Sequence, residues 1–170
     1  IYQAGKMVML PRFDVVNTLR AMQKHRVTAF CGAPSMYSVL LSHPEFSRYD
    51  LKSVRFCISG SAPLPPEVQN SWMEATGGVL VEGYGLTESS PVTHCNPLDR
   101  SMKTVKVGSI GLPWPDTDAK IVDIETGSIE LGVGETGELA KKAFHELMNP
   151  KAVVAEDVSA IQAKPGERPV

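Results

Sequence analysis

The sequence is poor in cysteine, in clustered positive charge and in long apolar runs, and each shortage removes a class of function. Cys31, Cys57 and Cys95 are its three cysteines, widely spaced and without a CxxC pair. An odd number of scattered thiols does not make a disulfide framework, so they read as free thiols in a reducing compartment. Zinc needs clustered ligands, and His25, His43, His94 and His145 are too dispersed to supply them. Formal net charge is -2, so no basic footprint points to nucleic acid, and no polybasic cluster points to an acidic membrane surface. No apolar run approaches the roughly 20 residues of a membrane span, so no transmembrane segment is expected and a cytoplasmic location is. A signal peptide and an initiator methionine are also missing. The opening IYQAGKMVML reads as the inside of a protein, and the expectation is a fragment.

What is present is ordinary in bulk. Of 170 residues, 42% are hydrophobic and 21% charged, enough for a domain with a real core. Over the first ninety residues short apolar runs alternate with helical patterns. Residues 7–10 (MVML) read as a strand stopped by Pro11. Asp14 suits the cap of a helix over 15–25, with Val15, Val16, Leu19 and Met22 on one face. Residues 27–31 (VTAFC) read as a strand, and Pro34 suits the first position of a helix to about Ser42. The cycle repeats: a strand at 54–59, a loop at 60–64, a helix opened by Pro65 and Pro66 with Val68, Trp72 and Ala75 on one face, a stop at Gly77-Gly78, and a strand at 79–82. Strict alternation predicts an α/β fold, a parallel sheet flanked by helices, with right-handed crossovers.

After Pro91 the character changes. Residues 107–139 are rich in glycine and proline, with strand candidates at 119–123 and 138–139, and read as a smaller β-rich lobe. The expected division is 1–92 for the α/β part, 93–139 for the β-rich part and 140–170 for a tail of uncertain origin. Gly132, Gly134 and Gly137 read as turn glycines. Trp72 and Trp114 read as packing residues, Cys57 as core, and His94 as a structural or solvent-facing loop residue.

In a parallel α/β sheet, ligands bind beyond the carboxyl ends of the strands. Three loops lie at such ends: Gly32-Ala33-Pro34, Gly60-Ser61-Ala62-Pro63 and residues 83–90. Small residues let a backbone approach a flat ligand closely. In the last loop a ring, a hydroxyl and a carboxylate follow within five residues, 84–88. Tyr84 offers a stacking face, Thr87 a hydroxyl for a phosphate oxygen, and Glu88 a hard carboxylate. One or two carboxylates beside substrate phosphates suffice to hold magnesium. Two readings stand here: a nucleotide–magnesium site, or a turn with a buried tyrosine and a helix-capping threonine.

Several ordered motifs then decide between them. GYGLTESSP, preceded by SGSAPLPPEV and followed by GSIGLPWPDTDAKIVDIETG and GETGEL, resembles the adenylate-forming superfamily of acyl-CoA synthetases, firefly-type luciferases and peptide-synthetase adenylation domains. The likeness covers roughly residues 1–139. PRFD, VTAFCGAPSMY and YDLKSVRFCISGSAPLP, with Leu86 between Gly85 and Thr87, look like the fatty-acyl branch. The resemblance implies that Tyr84 and the Gly60, Ser61, Ala62, Pro63 loop sandwich adenine. It implies that the backbone of Glu82, Gly83, Tyr84, Gly85 and Leu86 lines the adenine and acyl sites. By the same likeness, Thr87 contacts the nucleotide phosphate, Glu88 binds magnesium, and Gly32, Ala33, Pro34 and Gly60 border the acyl pocket. Thr87 and Glu88 are the implied catalytic pair. The implied substrates are a fatty acid or similar carboxylate, ATP and coenzyme A.

The chain also departs from the family. The glycine- and serine/threonine-rich phosphate loop ending in lysine, the aspartate of a TGD motif and the catalytic lysine of the mobile C-terminal domain have no match. The isolated chain is therefore expected to be inactive. Residues 141–148 read as a short helix, with Phe144 and Leu147 or Met148 inward. HELMNPKAVVAEDVSAI resembles the start of the family's C-terminal domain; an unrelated tail or a disordered linker are the alternatives. Lys141, Lys142, Lys151 and Lys164 read as solvated charges. A sheet cut short exposes an edge and an apolar face, which favours self-association, a homodimer included.

Overall fold

The computed structural model describes residues 5–89, 91–99, 101–115 and 117–143, with residues 141–143 described by backbone alone. Its elements run α1 (Val15–His25), β1 (Ala29–Gly32), α2 (Pro34–Leu41), β2 (Phe56–Ser59), α3 (Pro66–Thr76), β3 (Val79–Gly85), β4 (Val92–Cys95), β5 (Leu112–Pro113), β6 (Thr117–Val122) and β7 (Glu138–Ala143). The first five strands form one sheet in the order β1-β2-β3-β4-β5, and β6 pairs with β7 in a second, antiparallel sheet. β1, β2 and β3 are parallel, with Ala29 opposite Phe56 and Phe56 opposite Val79. This is the α/β fold with a small β-rich part that the sequence predicts.

Local chemistry explains the helices. The Asp14 carboxylate accepts from the Asn17 N–H at 2.8 Å, satisfying one of the donors a helix start leaves open. Pro34 and Pro66 open α2 and α3, where a missing N–H costs nothing. α3 ends on Gly77, whose φ of 73° is the left-handed geometry that glycine adopts without strain. Its buried residues are Gln69, Trp72 and Thr76; of the expected face Trp72 is core and Val68 packs half-buried against it, while Ala75 is exposed. Gln69 reaches in because its amide donates to the Leu80 carbonyl at 2.7 Å.

The chain divides into two compact units, Ile1–Gly85 with His94–Leu112, and Leu86–Thr93 with Pro113–Val170. In the first, β3 is buried on both faces. One face meets the helices: Leu19, Met22, Tyr37, Leu40, Cys57, Leu64, Trp72 and Leu80 form a single core. The Trp72 ring lies 4.9 Å from Tyr37 and 6.1 Å from Phe46. The Tyr37 hydroxyl lies 3.1 Å from the Phe30 carbonyl and 3.0 Å from that of Ile58, so it bridges β1 and β2. Burial raises its pKa well above the usual phenol range. On the other face Val79, Val81 and Cys95 cluster with Ile58, Met102 and Val105.

Four expectations about the elements change. Residues 7–10 form no strand: Met7 and Met9 are exposed, and no neighbouring strand pairs with the segment among the described residues. β3 runs through Gly85, so the expected loop at 83–90 starts at Leu86. Residues 92–95, for which no strand is expected, are β4. Residues 141–143 continue β7 instead of opening a helix, because they pair with Thr117, Asp118 and Ala119; residues 144–170, with the rest of that helix and the tail lysines Lys151 and Lys164, lie outside the described residues. In the second unit Trp114 is 46% exposed, so it is not the packing residue expected. Gly137 is buried in close packing: a methyl there would come within 2.3 Å of the Val122 carbonyl. Cys57 is core, as expected.

Candidate nucleotide site

The three strand-end loops begin together. The Gly60 N–H donates to the Gly32 carbonyl at 3.1 Å, joining the ends of β2 and β1. A methyl on Gly60 would lie 3.5 Å from the Gly83 carbonyl, and one on Gly83 only 2.8 Å from Ile58 Cγ2. A side chain is therefore excluded at Gly83, whereas at Gly60 a methyl would make ordinary contact and at Gly32 it would press on the Met36 and Phe30 side chains. Ala33 is half-buried, and Pro34 is buried at the start of α2.

The Gly60-Ser61-Ala62-Pro63 loop is held at both ends. Ser61 has φ 70°, a left-handed conformation that costs a non-glycine residue about 1–3 kcal/mol and gathers at functional sites. Ser61, Ala62 and Pro63 are exposed, whereas Leu64 is buried. The Leu64 N–H donates to the Glu82 carboxylate at 3.3 Å. Glu82 is half-buried; burial raises its pKa and the Leu64 N–H partly offsets that. Sequence reasoning gave Glu82 a backbone role alone, and its side chain is the tie between β3 and the loop. The signal was available: a carboxylate inside the aliphatic run VLVEG needs a donor.

Tyr84 is half-buried near the end of β3. Its ring centroid lies 6.2 Å from that of His94, with the planes at 63°. His94 is 4% exposed, so the expectation of a loop residue gives way to a buried strand residue. Gly85, after Tyr84, is exposed. In the second unit Leu86 is half-buried, and Thr87 and Glu88 are exposed in a single turn, Thr87–Ser89, closed by the Ser89 N–H on the Leu86 carbonyl at 3.1 Å. No group of three or more His, Cys, Asp or Glu side chains placed to hold a metal occurs among the described residues. The accessible Glu88 carboxylate, next to the Thr87 hydroxyl in sequence, is of the type that holds a magnesium ion arriving on phosphates, which needs one or two carboxylates. A groove of about 860 Å³ lies elsewhere in the first unit, beside the outermost strand β1, and is lined by Met7, Val8, Leu10, Met22 and Phe30.

Residues 1–143 match the family described as AMP-binding enzyme. A long-chain-fatty-acid–CoA ligase of Bacillus subtilis is 50% identical over 137 residues, covering 81% of this chain and 24% of the relative. A mitochondrial medium-chain acyl-CoA ligase of Danio rerio is 38% identical over 144 residues, covering 82% and 23%. Among solved structures, ATP-bound MatB from Rhodopseudomonas palustris superposes with TM-score 0.68 at 35% identity, covering 82% of this chain and 26% of that one. An anthranilate CoA ligase in complex with anthranoyl-AMP superposes with TM-score 0.67 at 32% identity, covering 76% and 24%. The chain thus spans about a quarter of the length of the relatives it matches. With its motifs in order along this fold and the match running through residue 143, the chain belongs to the AMP-binding, adenylate-forming enzyme family.

Proposed function

We propose that these residues are the adenine and magnesium half of an AMP-forming fatty-acid–CoA ligase. The observation that carries the nucleotide part is the small-residue platform of Gly32, Gly60 and Gly83 at the carboxyl ends of three parallel strands, with Tyr84 next in the chain. The acyl part rests on the likeness to long-chain ligases, the Bacillus subtilis relative at 50% identity foremost.

In this reading a carboxylate oxygen attacks the α-phosphorus of ATP and pyrophosphate leaves. The thiol of coenzyme A then attacks the acyl carbon, and AMP leaves. Neither step uses a protein nucleophile, so the enzyme's contribution is positioning and charge neutralisation. Tyr84 and the loop of Gly60, Ser61, Ala62 and Pro63 cover the two faces of adenine. Glu82, Gly83, Gly85 and Leu86 line the adenine and acyl sites. Thr87 donates its hydroxyl to a phosphate oxygen, and Glu88 holds magnesium. Magnesium, when bound, supplies positive charge against the phosphates. Gly32, Ala33 and Pro34 border the acyl pocket. A cytoplasmic location belongs to the same reading. The lysine-ended phosphate loop and the TGD aspartate are absent from the 170 residues, so these residues alone should turn over several powers of ten more slowly than a chain that has them.

The test is ATP–pyrophosphate exchange and AMP release, with fatty, aryl and amino acids compared in the longest natural polypeptide carrying this chain. Fastest exchange with a fatty acid supports the proposal. The likeness to the anthranilate ligase makes an aryl acid the second reading, and an aryl acid outrunning every fatty acid would replace the first. Magnesium-dependent AMP release with any acid removes the reading of a catalytically dead binding module.

A further inference from the structure

We propose that His94 is a positioning residue for nucleotide binding: its buried imidazole fixes the Tyr84 ring in the orientation that stacking on adenine requires. The inference rests on the reading of Tyr84 given above and adds a residue that reading does not use.

Tyr84 is half-buried. A tyrosine with one side in solvent has rotamer freedom, and ordering it on ligand binding costs part of the stacking energy. A fixed neighbour removes that cost in advance. His94 is 4% exposed and sits on β4, adjacent to β3 in the sheet. Its ring meets the tyrosine ring at 6.2 Å and 63°, which is the edge-to-face geometry aromatic pairs prefer. An edge contact restrains a ring while leaving a face for a ligand.

The frame behind the pair is rigid. The Asn96 N–H donates to the Glu82 carbonyl at 3.2 Å, tying the strands two residues beyond each ring. Between them a methyl on Gly83 would stand 2.8 Å from Ile58 Cγ2, so β3 has no room for a side chain there. Next to His94, Thr93 and Cys95 are also buried.

The experiment is a double-mutant cycle in the longest natural polypeptide carrying this chain. Affinity for a non-hydrolysable fatty-acyl-adenylate mimic with magnesium is measured by calorimetry. His94→Ala is expected to weaken binding about tenfold, and His94→Phe to restore it to within about twofold of wild type. On a Tyr84→Ala background, His94→Ala is expected to add less than about twofold. His94→Leu keeps the bulk without the aromatic edge, so it keeps the test open if the alanine variant fails to fold. Equal affinity of His94→Leu and wild type overturns the proposal. So does a His94→Ala loss of the same factor with and without Tyr84, which would mark a general structural effect. If Tyr84→Ala alone leaves affinity unchanged, the Tyr84 reading fails and the proposal goes with it. A loss on Tyr84→Ala with none on His94→Ala or His94→Leu removes the positioning role and leaves the site reading standing.

Discussion

The two faces of β3 are built from the same alternating strand and yet hold by different means. Toward the helices, Leu80 joins Trp72, Tyr37, Leu40 and Leu19, side chains drawn from three helices and a strand. Away from them, Val79 and Val81 meet Cys95 and the half-buried Met102 and Val105, which come from β4 and an irregular segment. The first face is an aromatic core closed by α1, α2 and α3, which pack together on the side of Leu80. The second is thinner, and it carries the approach of Gly83 to Ile58 on which the candidate site depends. Stability is therefore concentrated on one face, while tolerance at the other limits the shape of the nucleotide platform.

The strongest way to break the comparison is Trp72→Ala. It removes the largest fully buried side chain of the helix-side core and should cost about 3–5 kcal/mol. Urea denaturation checks it, and a loss below that of Val81→Ala would reverse the ranking of the faces. Gly83→Ala should come next. Its methyl would stand 2.8 Å from Ile58 Cγ2, an overpacking worth about 1–3 kcal/mol. Because the same methyl displaces the strand end before Tyr84, nucleotide-mimic affinity should fall with stability; unchanged affinity would uncouple Gly83 from the site.

Smaller effects sharpen the picture. Glu82 has its pKa raised by burial, so the folded state holds its proton more tightly than the unfolded chain. Its contribution is most favourable below the ordinary carboxylate range and is lost as pH rises through the raised value. Glu82→Gln keeps an acceptor for the Leu64 N–H and removes that dependence. The melting temperature of the variant relative to wild type should rise slightly between pH 4 and pH 7, and a relative fall would contradict the sign. Smallest in energy is a thiol count. Burial pushes Cys57 up to about 11 and raises Cys95 as well, whereas Cys31 is exposed. Alkylation of the native chain near pH 8 should therefore modify Cys31 first and Cys57 last, as mass spectrometry of peptides would record.

How much of this the sequence disclosed follows from where it has a period. The helix-side face was legible, because α1, α2 and α3 carry caps, prolines and a stop glycine at the right spacing, and β1, β2 and β3 are apolar runs between them. Boundaries shifted where pairing extended a strand, as when β3 ran on through Tyr84 to Gly85. The opposite face was not legible. Residues 92–112 have no clear alternation, so nothing in them predicts β4 or the burial of His94, and a helical period that sets Val68, Trp72 and Ala75 on one face cannot tell that Gln69 finds a carbonyl. At the site, ring, hydroxyl and carboxylate were named from the residue types of the 84–88 stretch. The ties between loops were not, since the bond from Leu64 to Glu82 and the contact of Tyr84 with His94 join residues that only the fold brings together.

The central claim is that Tyr84 and its loops form an adenylate-binding platform. The most direct measurement is calorimetric titration of wild type and Tyr84→Ala with a non-hydrolysable fatty-acyl-adenylate mimic in the presence of magnesium, circular dichroism confirming the fold of both. Loss of about 1–3 kcal/mol of binding free energy on removal of the ring is the predicted result. Equal affinity of the two folded proteins would contradict it.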